Sequence, residues 1–285
     1  MSDTGGAMDR KRLTRKLRKI SKSFYQRLMR REAEKRIGFI FGCQRSGTTM
    51  LIDTFQRDFR TKVYAEHGLA RGWGRGTKYR LRPCEEIEKI FAQEKAALLV
   101  AKPLVESQNV LKLLDYFPSS KALWVYRHYK DVGRSQEVHF GREPTVYNLK
   151  AVVDPELSDH WFAENVSEKT RGIVQQYLHN DTPLHDLAVI NWYVRNILYF
   201  EQKLFDHPRV LLCRYEDLAA EPRTLMRKIY SFLDYRYPGD SIVRHIHTRS
   251  VRKGQGTELR KDVEELCADL LQRLDDVCVA SPVTS

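Results

Sequence analysis

Three basic side chains in this sequence stand where a bound anion would need them. Arg45 lies in a short turn between two glycines, and Lys102 and Arg127 each follow an apolar run that predicts a strand. The planar guanidinium of arginine forms paired hydrogen bonds to phosphate-like oxygens, and lysine adds a compact positive charge. Because parallel strands present their ligand-facing groups at one edge of the sheet, we expect the three cations to converge there. The pattern favours a site that holds a transferable anionic group.

The turn that carries Arg45 lies between a predicted strand and a predicted helix. The apolar residues 37–41 are typical of a strand buried on both faces. Gly42 and Gly47 let the backbone N–H groups between them point inward, and the two threonines that follow begin a helix whose positive end faces the same place. This order predicts an anion site. A glycine-rich turn without a ligand is the alternative.

The same segment departs from the nucleoside-triphosphatase loop G-x-x-x-x-G-K-[ST] at one position. Its glycines and Thr49 fit that pattern, but Thr48 replaces the lysine that clamps the terminal phosphate. The predicted strand Lys121 to Tyr126 ends in Arg127, where such an enzyme places an aspartate for magnesium. A nucleotide kinase or NTPase on the same fold is therefore the less favoured enzyme class.

Two motifs carry a resemblance to a known family. GCQRSGTTML resembles the 5'-phosphosulfate loop of the sulfotransferases that use 3'-phosphoadenosine 5'-phosphosulfate (PAPS), and RHYKDVGRS, with Arg127 and Ser135, resembles their 3'-phosphate motif. The resemblance implies an α/β, three-layer P-loop NTPase-like fold with a central parallel sheet flanked by helices. It also implies sulfuryl transfer from PAPS to an acceptor hydroxyl or amine, with no metal. The donor-binding residues that it implies in the loop are Arg45, Ser46, Gly47, Thr48 and Thr49.

The general base is sought at the end of the second predicted strand. Glu66 follows Arg45 by 21 residues, and in this the chain resembles glutamate-dependent sulfotransferases that modify sugars or tyrosine. His67 is the second candidate because histidine is the commonest base, and ordinary hydrogen bonding at a strand end is the alternative for both. Cytosolic members carry Lys-Thr-His after the next strand, whereas this chain keeps only Lys102. The resemblance thus implies Glu66 as base, with Arg45 and Lys102 stabilising the developing negative charge.

Further donor contacts are implied near the C-terminus. Tyr215 lies in a Tyr-Glu-Asp segment that resembles the family's adenine-side segment, although an aromatic residue at a strand end also fills cores. Arg252, Lys253 and Gly254 resemble the Arg-Lys-Gly that wraps the 3'-phosphate in cytosolic members. Their separation from Tyr215 is shorter than in those members.

The remaining elements are predicted from periodicity. Strands are expected at residues 61–65, 96–101 and 209–213, and long core helices at 184–205 and 258–277. Residues 138–183 are expected to be irregular apart from a helical segment near 158–177. In the family this region determines acceptor specificity.

Charge separates an N-terminal extension from the rest of the chain. Residues 1–36 hold 13 basic and 4 acidic side chains and carry apolar residues at helical spacing from Leu13 to Leu28, which predicts a basic amphipathic helix ahead of a sulfotransferase domain at 37–285. This helix could bind an anionic membrane surface or an acidic acceptor. The alternative, packing on the body of its own chain or on a second copy, is slightly favoured. A non-catalytic basic module for nucleic acid or anionic glycans would leave Glu66, Arg127 and Ser135 unexplained. No specific nucleic-acid partner is expected.

Other features are compatible with a cytoplasmic protein, with peripheral membrane binding as the alternative. No apolar run reaches the roughly 18 residues of a membrane helix, and no signal sequence is recognised. The five cysteines are odd in number and lack zinc spacing, which predicts reduced thiols. The glycine-rich basic segment 67–83 predicts a lid or an acceptor clamp, or merely a solvated charge run.

Overall fold

The computed structural model describes residues 21–22, 25–26, 35–71 and 80–280. Most of the predicted N-terminal helix and residues 72–79 of the basic segment lie outside these ranges. The division of the chain at residue 36 stays a prediction.

A five-stranded parallel sheet forms the centre of the molecule. Its strands stand in the order β2-β5-β1-β6-β7, so the first strand of the chain is the middle strand of the sheet. β1 pairs with β5 on one side and with β6 on the other. The strand order therefore changes direction at β1, which creates a crevice at the carboxyl ends of the strands. The strands are β1 (Arg36–Gly42), β2 (Thr61–Tyr64), β5 (Leu98–Ala101), β6 (Ser120–Tyr126) and β7 (Val210–Arg214).

Both faces of the sheet are buried, as the apolar character of β1 predicts. Phe39 and Phe41 point into one core, and Ile40 points into the other, because successive side chains of a strand alternate between its faces. A strand buried on both sides must be covered by helices, and this accounts for the three layers.

Helices cover each face. Helices α1 (Thr48–Arg57) and α9 (Pro222–Phe232) contribute to the core around Ile40, and α7 (Leu184–Glu201) and α10 (Lys261–Ala280) contribute to the core around Phe39. The other helices are α2 (Cys84–Gln93), α3 (Val110–Tyr116), α4 (Tyr129–Phe140), α5 (Arg142–Val153), α6 (Glu168–Tyr177) and α8 (Tyr215–Ala220), and a short two-stranded ladder joins β3 (Ala70–Arg71) to β4 (Arg80–Leu81). The predicted α/β fold with a central parallel sheet flanked by helices is confirmed.

One part of the secondary-structure prediction was wrong. Residues 142–153 form helix α5, although this stretch was expected to be irregular. Pro144 suggested a break, but it lies in the first turn, where a helix does not need the missing N–H. Within the described residues, no helix combines the length and apolarity that crossing a membrane requires.

Candidate active site

The loop after β1 is tightly curled. Gly42, Arg45 and Gly47 have φ angles of 126°, 72° and 90°, a region that glycine tolerates and other residues rarely adopt. A Cβ atom on Gly42 would lie 2.2 Å from the Val125 carbonyl oxygen of β6, so only glycine fits there. The backbone N–H of Gly42 donates to Ser107 Oγ at 3.1 Å, which ties the start of the loop to the segment after β5.

Strand register brings Glu66 and Lys102 together. Tyr64 pairs with Ala101 in the β2–β5 ladder, and the Lys102 N–H continues the ladder by donating to Tyr64 O at 2.9 Å. The Lys102 Nζ then lies 3.7 Å from Glu66 Oε2 and donates to Thr49 Oγ1 at 3.2 Å. Lys102 therefore connects the candidate base with the N-terminus of helix α1.

Arg127 is held by three neighbours at the end of β6. Its guanidinium forms an ion pair with Asp131 at 3.0 Å, donates to the Ser250 carbonyl oxygen, and stacks 4.6 Å from the centroid of the Tyr215 ring. The β6–β7 register explains the stacking, because Tyr126 pairs with Arg214 and so the next residues are neighbours. Arg127 is only 6% exposed, yet its Nε has no hydrogen-bond partner among the described residues. A buried N–H of this kind is costly unless a ligand accepts it.

Arg45 joins the loop to helix α4. Its Nε donates to Ser135 Oγ at 3.0 Å. Burial, and secondarily the positive charge of Arg127, lowers the pKa of Arg45. Two guanidinium groups close enough to repel each other form a site that an anion would stabilise.

A cavity of about 660 Å³ brings most of the predicted donor-binding residues together. We call it the donor cavity. Of the predicted residues, it is lined by Arg45, Gly47, Thr48, Thr49, Arg127, Ser135 and Lys253. Five further lining residues were not singled out from the sequence, namely Asp131, Arg134, Val138, His139 and Ser250.

A second cavity, of about 380 Å³, adjoins the first and contains the candidate bases. We call it the acceptor cavity. It is lined by Glu66, His67 and Lys102, and it shares Arg45, Thr48, Thr49 and His139 with the donor cavity. Its other lining residues, none of them predicted, are Gln44, Leu104, Val105, Gln136, Phe140, Pro144, Thr145, Asn148, Trp161, Phe162 and Asn191.

Four predicted residues lie close to the donor cavity without lining it. Ser46 and Gly254 are buried, and Tyr215 is 2% exposed because its ring packs on Gly47, where an added Cβ would lie 2.0 Å from the ring. The N–H groups of Arg252 and Gly254 donate to the Asp131 carboxylate at 2.8 and 2.7 Å. These contacts with Asp131 position the segment that carries Lys253. A contact between Tyr215 and adenine stays a prediction.

Some of the missed residues had a signal in the sequence. Asp131, Ser135 and His139 are spaced by four, so they lie along one face of helix α4. Once Ser135 is assigned to an anion site, the spacing of four indicates that Asp131 and His139 lie at the same site. The lining residues from α7 and from residues 161–162 had no such signal, because their proximity depends on tertiary packing.

The cysteines take no part in this chemistry. Cys43 is fully buried in the loop, and burial raises the pKa of its thiol to about 12. Gln136 donates to Cys43 Sγ and to Gln44 O, both at 3.3 Å. These two bonds fix the conformation of the loop. All five cysteines are free thiols. The described part of the chain contains no cluster of three or more His, Cys, Asp and Glu side chains arranged to hold a metal ion.

Comparison with solved structures identifies proteins of similar fold. The structure is similar to a sulfotransferase from Alicyclobacillus acidocaldarius, with a TM-score of 0.51 and 16% identity over 87% of this chain and 96% of that one. It is also similar to the sulfotransferase domain from the curacin biosynthetic pathway, with a TM-score of 0.51 and 14% identity over 86% and 99% of the two chains. At such low identity these similarities concern the fold alone.

Sequence comparison gives the family. Among curated proteins no significant match is found. A family model described as the sulfotransferase domain, however, matches residues 36–269, which include both cavities and every strand of the sheet. The chain therefore belongs to the sulfotransferase family.

Proposed function

We propose that this sulfotransferase moves a sulfuryl group from PAPS to a hydroxyl group of an acceptor, with Glu66 as general base. The observation that carries the proposal is the meeting of two cavities at Arg45, Thr48 and Thr49, with Glu66 and Lys102 on the acceptor side. Such an arrangement lets a donor in one cavity and an acceptor in the other approach each other beside the Arg45 guanidinium.

The residues of the donor cavity fit the two anionic ends of PAPS. Arg127, Ser135 and Lys253 supply a bidentate donor, a hydroxyl and a charge for the 3'-phosphate, and the unpartnered Nε of Arg127 calls for an acceptor atom of this kind. The curled loop and the N-terminus of helix α1 suit the 5'-phosphosulfate. When bound, the donor supplies the sulfuryl group that is transferred.

The chemistry assigned to the chain's own residues is proton removal and charge stabilisation. Glu66 accepts the hydroxyl proton while the acceptor oxygen forms its bond to sulfur and the bond from sulfur to the phosphate oxygen breaks. Arg45 and Lys102 stabilise the charge that shifts onto the leaving 3',5'-bisphosphate, and Lys102 also orients Glu66 at 3.7 Å. No metal is required in this scheme, so we expect turnover to persist in the presence of a chelator. Turnover of ATP that needs magnesium would instead support the kinase alternative.

Replacement of the two candidate bases tests the mechanism. Glu66→Gln should retain affinity for the 3',5'-bisphosphate in calorimetry but lose transfer by roughly 10² or more, because the amide cannot take the proton. His67→Gln is the matched control, since His67 lines the same cavity, and it should lose much less. Transfer, followed with isotopically labelled PAPS, that survives in the Glu66 variant and disappears in the His67 variant would assign the base to His67.

A further inference from the structure

Two walls of the acceptor cavity come from distant parts of the chain. One contains Leu104 and Val105, which follow Lys102 after the end of β5, and the other contains Trp161 and Phe162. The relative placement of these walls determines how an acceptor is presented to the candidate base. A group that joins the two walls therefore bears on the reaction even if it touches no ligand.

Arg195 of helix α7 lies behind both walls. It is fully buried and lines neither cavity. Its guanidinium lies 5.0 Å from the centroid of the Trp161 ring and 5.2 Å from that of the Phe162 ring, within the range of cation–π attraction. Its Nη2 donates to the Leu104 carbonyl oxygen at 3.2 Å and to Gln108 Oε1 at 3.1 Å. One side chain thus contacts residues of both walls.

The contacts continue from this guanidinium to the loop after β1. Gln108 Nε2 donates to the Val105 carbonyl oxygen at 2.7 Å, so the guanidinium reaches the second residue of that wall through one amide. The Leu104 carbonyl oxygen also accepts from Ser107 Oγ at 2.9 Å, and Ser107 Oγ accepts from the Gly42 N–H at 3.1 Å. A chain of hydrogen bonds therefore connects the start of the loop with the segment after β5 and with the guanidinium that supports the aromatic wall.

Arg195 is poorly satisfied for a residue that would serve only to stabilise the core. Its Nε and Nη1 have no hydrogen-bond partner among the described residues. Burial lowers the pKa of its guanidinium to about 10. A desolvated charge with unused N–H groups lowers stability, and an apolar side chain of similar size is often at least as stable in such a place. Departures of this kind are expected at functional sites, where they serve the reaction rather than the fold.

We infer that Arg195 is a positioning residue for the transfer reaction, because it holds the walls at residues 104–105 and 161–162 in the arrangement that presents an acceptor hydroxyl to Glu66. The inference rests on the proposed function and adds to it a residue that touches neither donor nor acceptor. Without this guanidinium the donor cavity keeps its residues, but the two walls lose their common support. A misplacement of about 1 Å can slow a reaction by roughly a hundredfold.

Arg195→Met tests the inference, since methionine fills the space without a charge or an N–H donor. We expect kcat/KM for the acceptor to fall by about a hundredfold, with the loss in kcat as well as in the acceptor KM. Affinity and stoichiometry for the 3',5'-bisphosphate should be unchanged in calorimetry, because no residue that the guanidinium contacts lines the donor cavity.

Transfer is followed with labelled PAPS and a mixture of probe acceptors. The mixture contains 2-naphthol, N-acetylglucosamine, a tyrosine peptide and 1-octanol, and labelled sulfate released to water is measured in the same samples. The acceptor that the wild-type protein prefers, water included, is then used for every variant.

Two further variants distinguish positioning from a general loss of structure. Arg195→Lys should recover about tenfold of the loss, because both hydrogen bonds come from one nitrogen in arginine and an ammonium group can supply them. If Arg195→Met does not fold, Arg195→Gln, which keeps an N–H donor but no charge over the rings, should show a loss of about tenfold or more with unchanged bisphosphate affinity.

Arg209 provides the matched control. Its guanidinium also donates to carbonyl oxygens of the body, those of Leu114 at 2.8 Å and Pro118 at 3.0 Å, but neither it nor these partners line the two cavities. Arg209→Met should therefore keep the wild-type kcat/KM for each bisphosphate-binding site, whatever its effect on stability.

The outcomes separate failure of this inference from failure of the proposed function. Wild-type kcat/KM in Arg195→Met, a loss that Arg195→Lys shares in full, or a loss of transfer matched by an equal loss of bisphosphate-binding sites would overturn the inference alone. If the wild-type protein does not bind the bisphosphate, or modifies no probe and releases no sulfate, the proposed function falls and the inference falls with it.

Discussion

Arg127 and Asp131 form a buried ion pair that connects the end of β6 with the segment that carries Lys253. The Asp131 carboxylate accepts from Arg127 and also from the N–H groups of Arg252 and Gly254. A carboxylate with three donors is well satisfied, which offsets the desolvation that otherwise makes buried pairs unfavourable. Removing either partner would disturb the segment that carries Lys253 as well as the charge itself. Conservative changes are therefore the informative ones at this pair.

Arg127→Lys should weaken binding of the 3',5'-bisphosphate by about tenfold or more, because lysine keeps the charge but loses the Nε donor and the planar fork. Arg134→Lys is the control, since Arg134 lines the same cavity from an exposed position, and its effect should be much smaller. Calorimetric titration measures both affinities, and denaturant unfolding verifies that both variants are folded. Equal affinities for the wild type and Arg127→Lys would contradict the assignment.

Gly47 is constrained both by its positive φ angle and by the Tyr215 ring beside it. Gly47→Ala should lower the free energy of unfolding by about 2–5 kcal/mol, through left-handed backbone strain and overlap with the Tyr215 ring. Gly141, with φ 72° and ψ −167°, lies in another region that only glycine adopts readily, and nothing lies within 4 Å of an added Cβ, so Gly141→Ala should show backbone strain alone, about 1–3 kcal/mol. Denaturant unfolding measures both losses. A loss of only about 1–2 kcal/mol for Gly47→Ala, the size of left-handed strain by itself, would show that contact with the Tyr215 ring does not matter.

At the level of elements, the predictable parts of the site are those whose residues lie on one continuous strand, loop and helix. The β1 loop was predicted from its glycines and the pair Arg127 and Ser135 from the family motif, and the structure places them around one cavity because each set lies on one continuous stretch of chain. The pairing of Glu66 with Lys102 depends on the β2–β5 register, which the sequence did not specify but which puts both at one edge. Asn191 could not be found, because an amide in the middle of a core helix becomes notable only when the cavity beside it is known.

The segment between α5 and α6 carries a histidine that should make stability depend on pH. His160 is 3% exposed, and its Nδ1 accepts from the Phe162 N–H at 3.2 Å. Burial, then the charges of Arg80 and Arg195, lowers the pKa of His160 to about 4. An unfolded chain binds this proton near pH 6.5, so acid favours unfolding, and stability falls as the pH drops from about 6.5 toward 4.

The expected contribution of His160 is a loss of about 2 kcal/mol at pH 5 relative to pH 7. His160→Asn, which keeps an acceptor near Nδ1, should reduce this loss in denaturant unfolding at the two pH values. His207 accepts from the Arg209 N–H in the same way at 3.1 Å but is only partly buried, so His207→Asn should leave most of the pH dependence intact. An identical pH dependence in wild type and His160→Asn would rule out the proposed cause.

At the scale of the whole molecule, the described residues of the basic N-terminal arm, residues 1–36, contact the body of the protein, residues 37–285. Six positions of the arm are described, and three of them contact the region where α1 leads into β2. Lys22 Nζ donates to Gln56 O at 2.9 Å, Gln26 Nε2 donates to Phe59 O and Thr61 O at 2.9 Å, and the Tyr25 ring lies 6.2 Å from the Phe59 ring. These contacts support packing of the arm on its own chain, while membrane binding and self-association stay proposals.

Lys22→Met should lower the free energy of unfolding by about 1–3 kcal/mol, because it removes the ammonium donor from the partly buried Gln56 carbonyl and the buried Thr61 hydroxyl. The control is Lys261→Met, which removes the same charge from a side chain that is 90% exposed and paired only at 3.7 Å with Glu265, so its effect should be small. Denaturant unfolding measures both, and co-sedimentation with anionic phospholipid vesicles measures membrane binding. If both variants unfold like the wild type while Lys22→Met alone loses vesicle binding, the arm acts at a membrane rather than as part of the body.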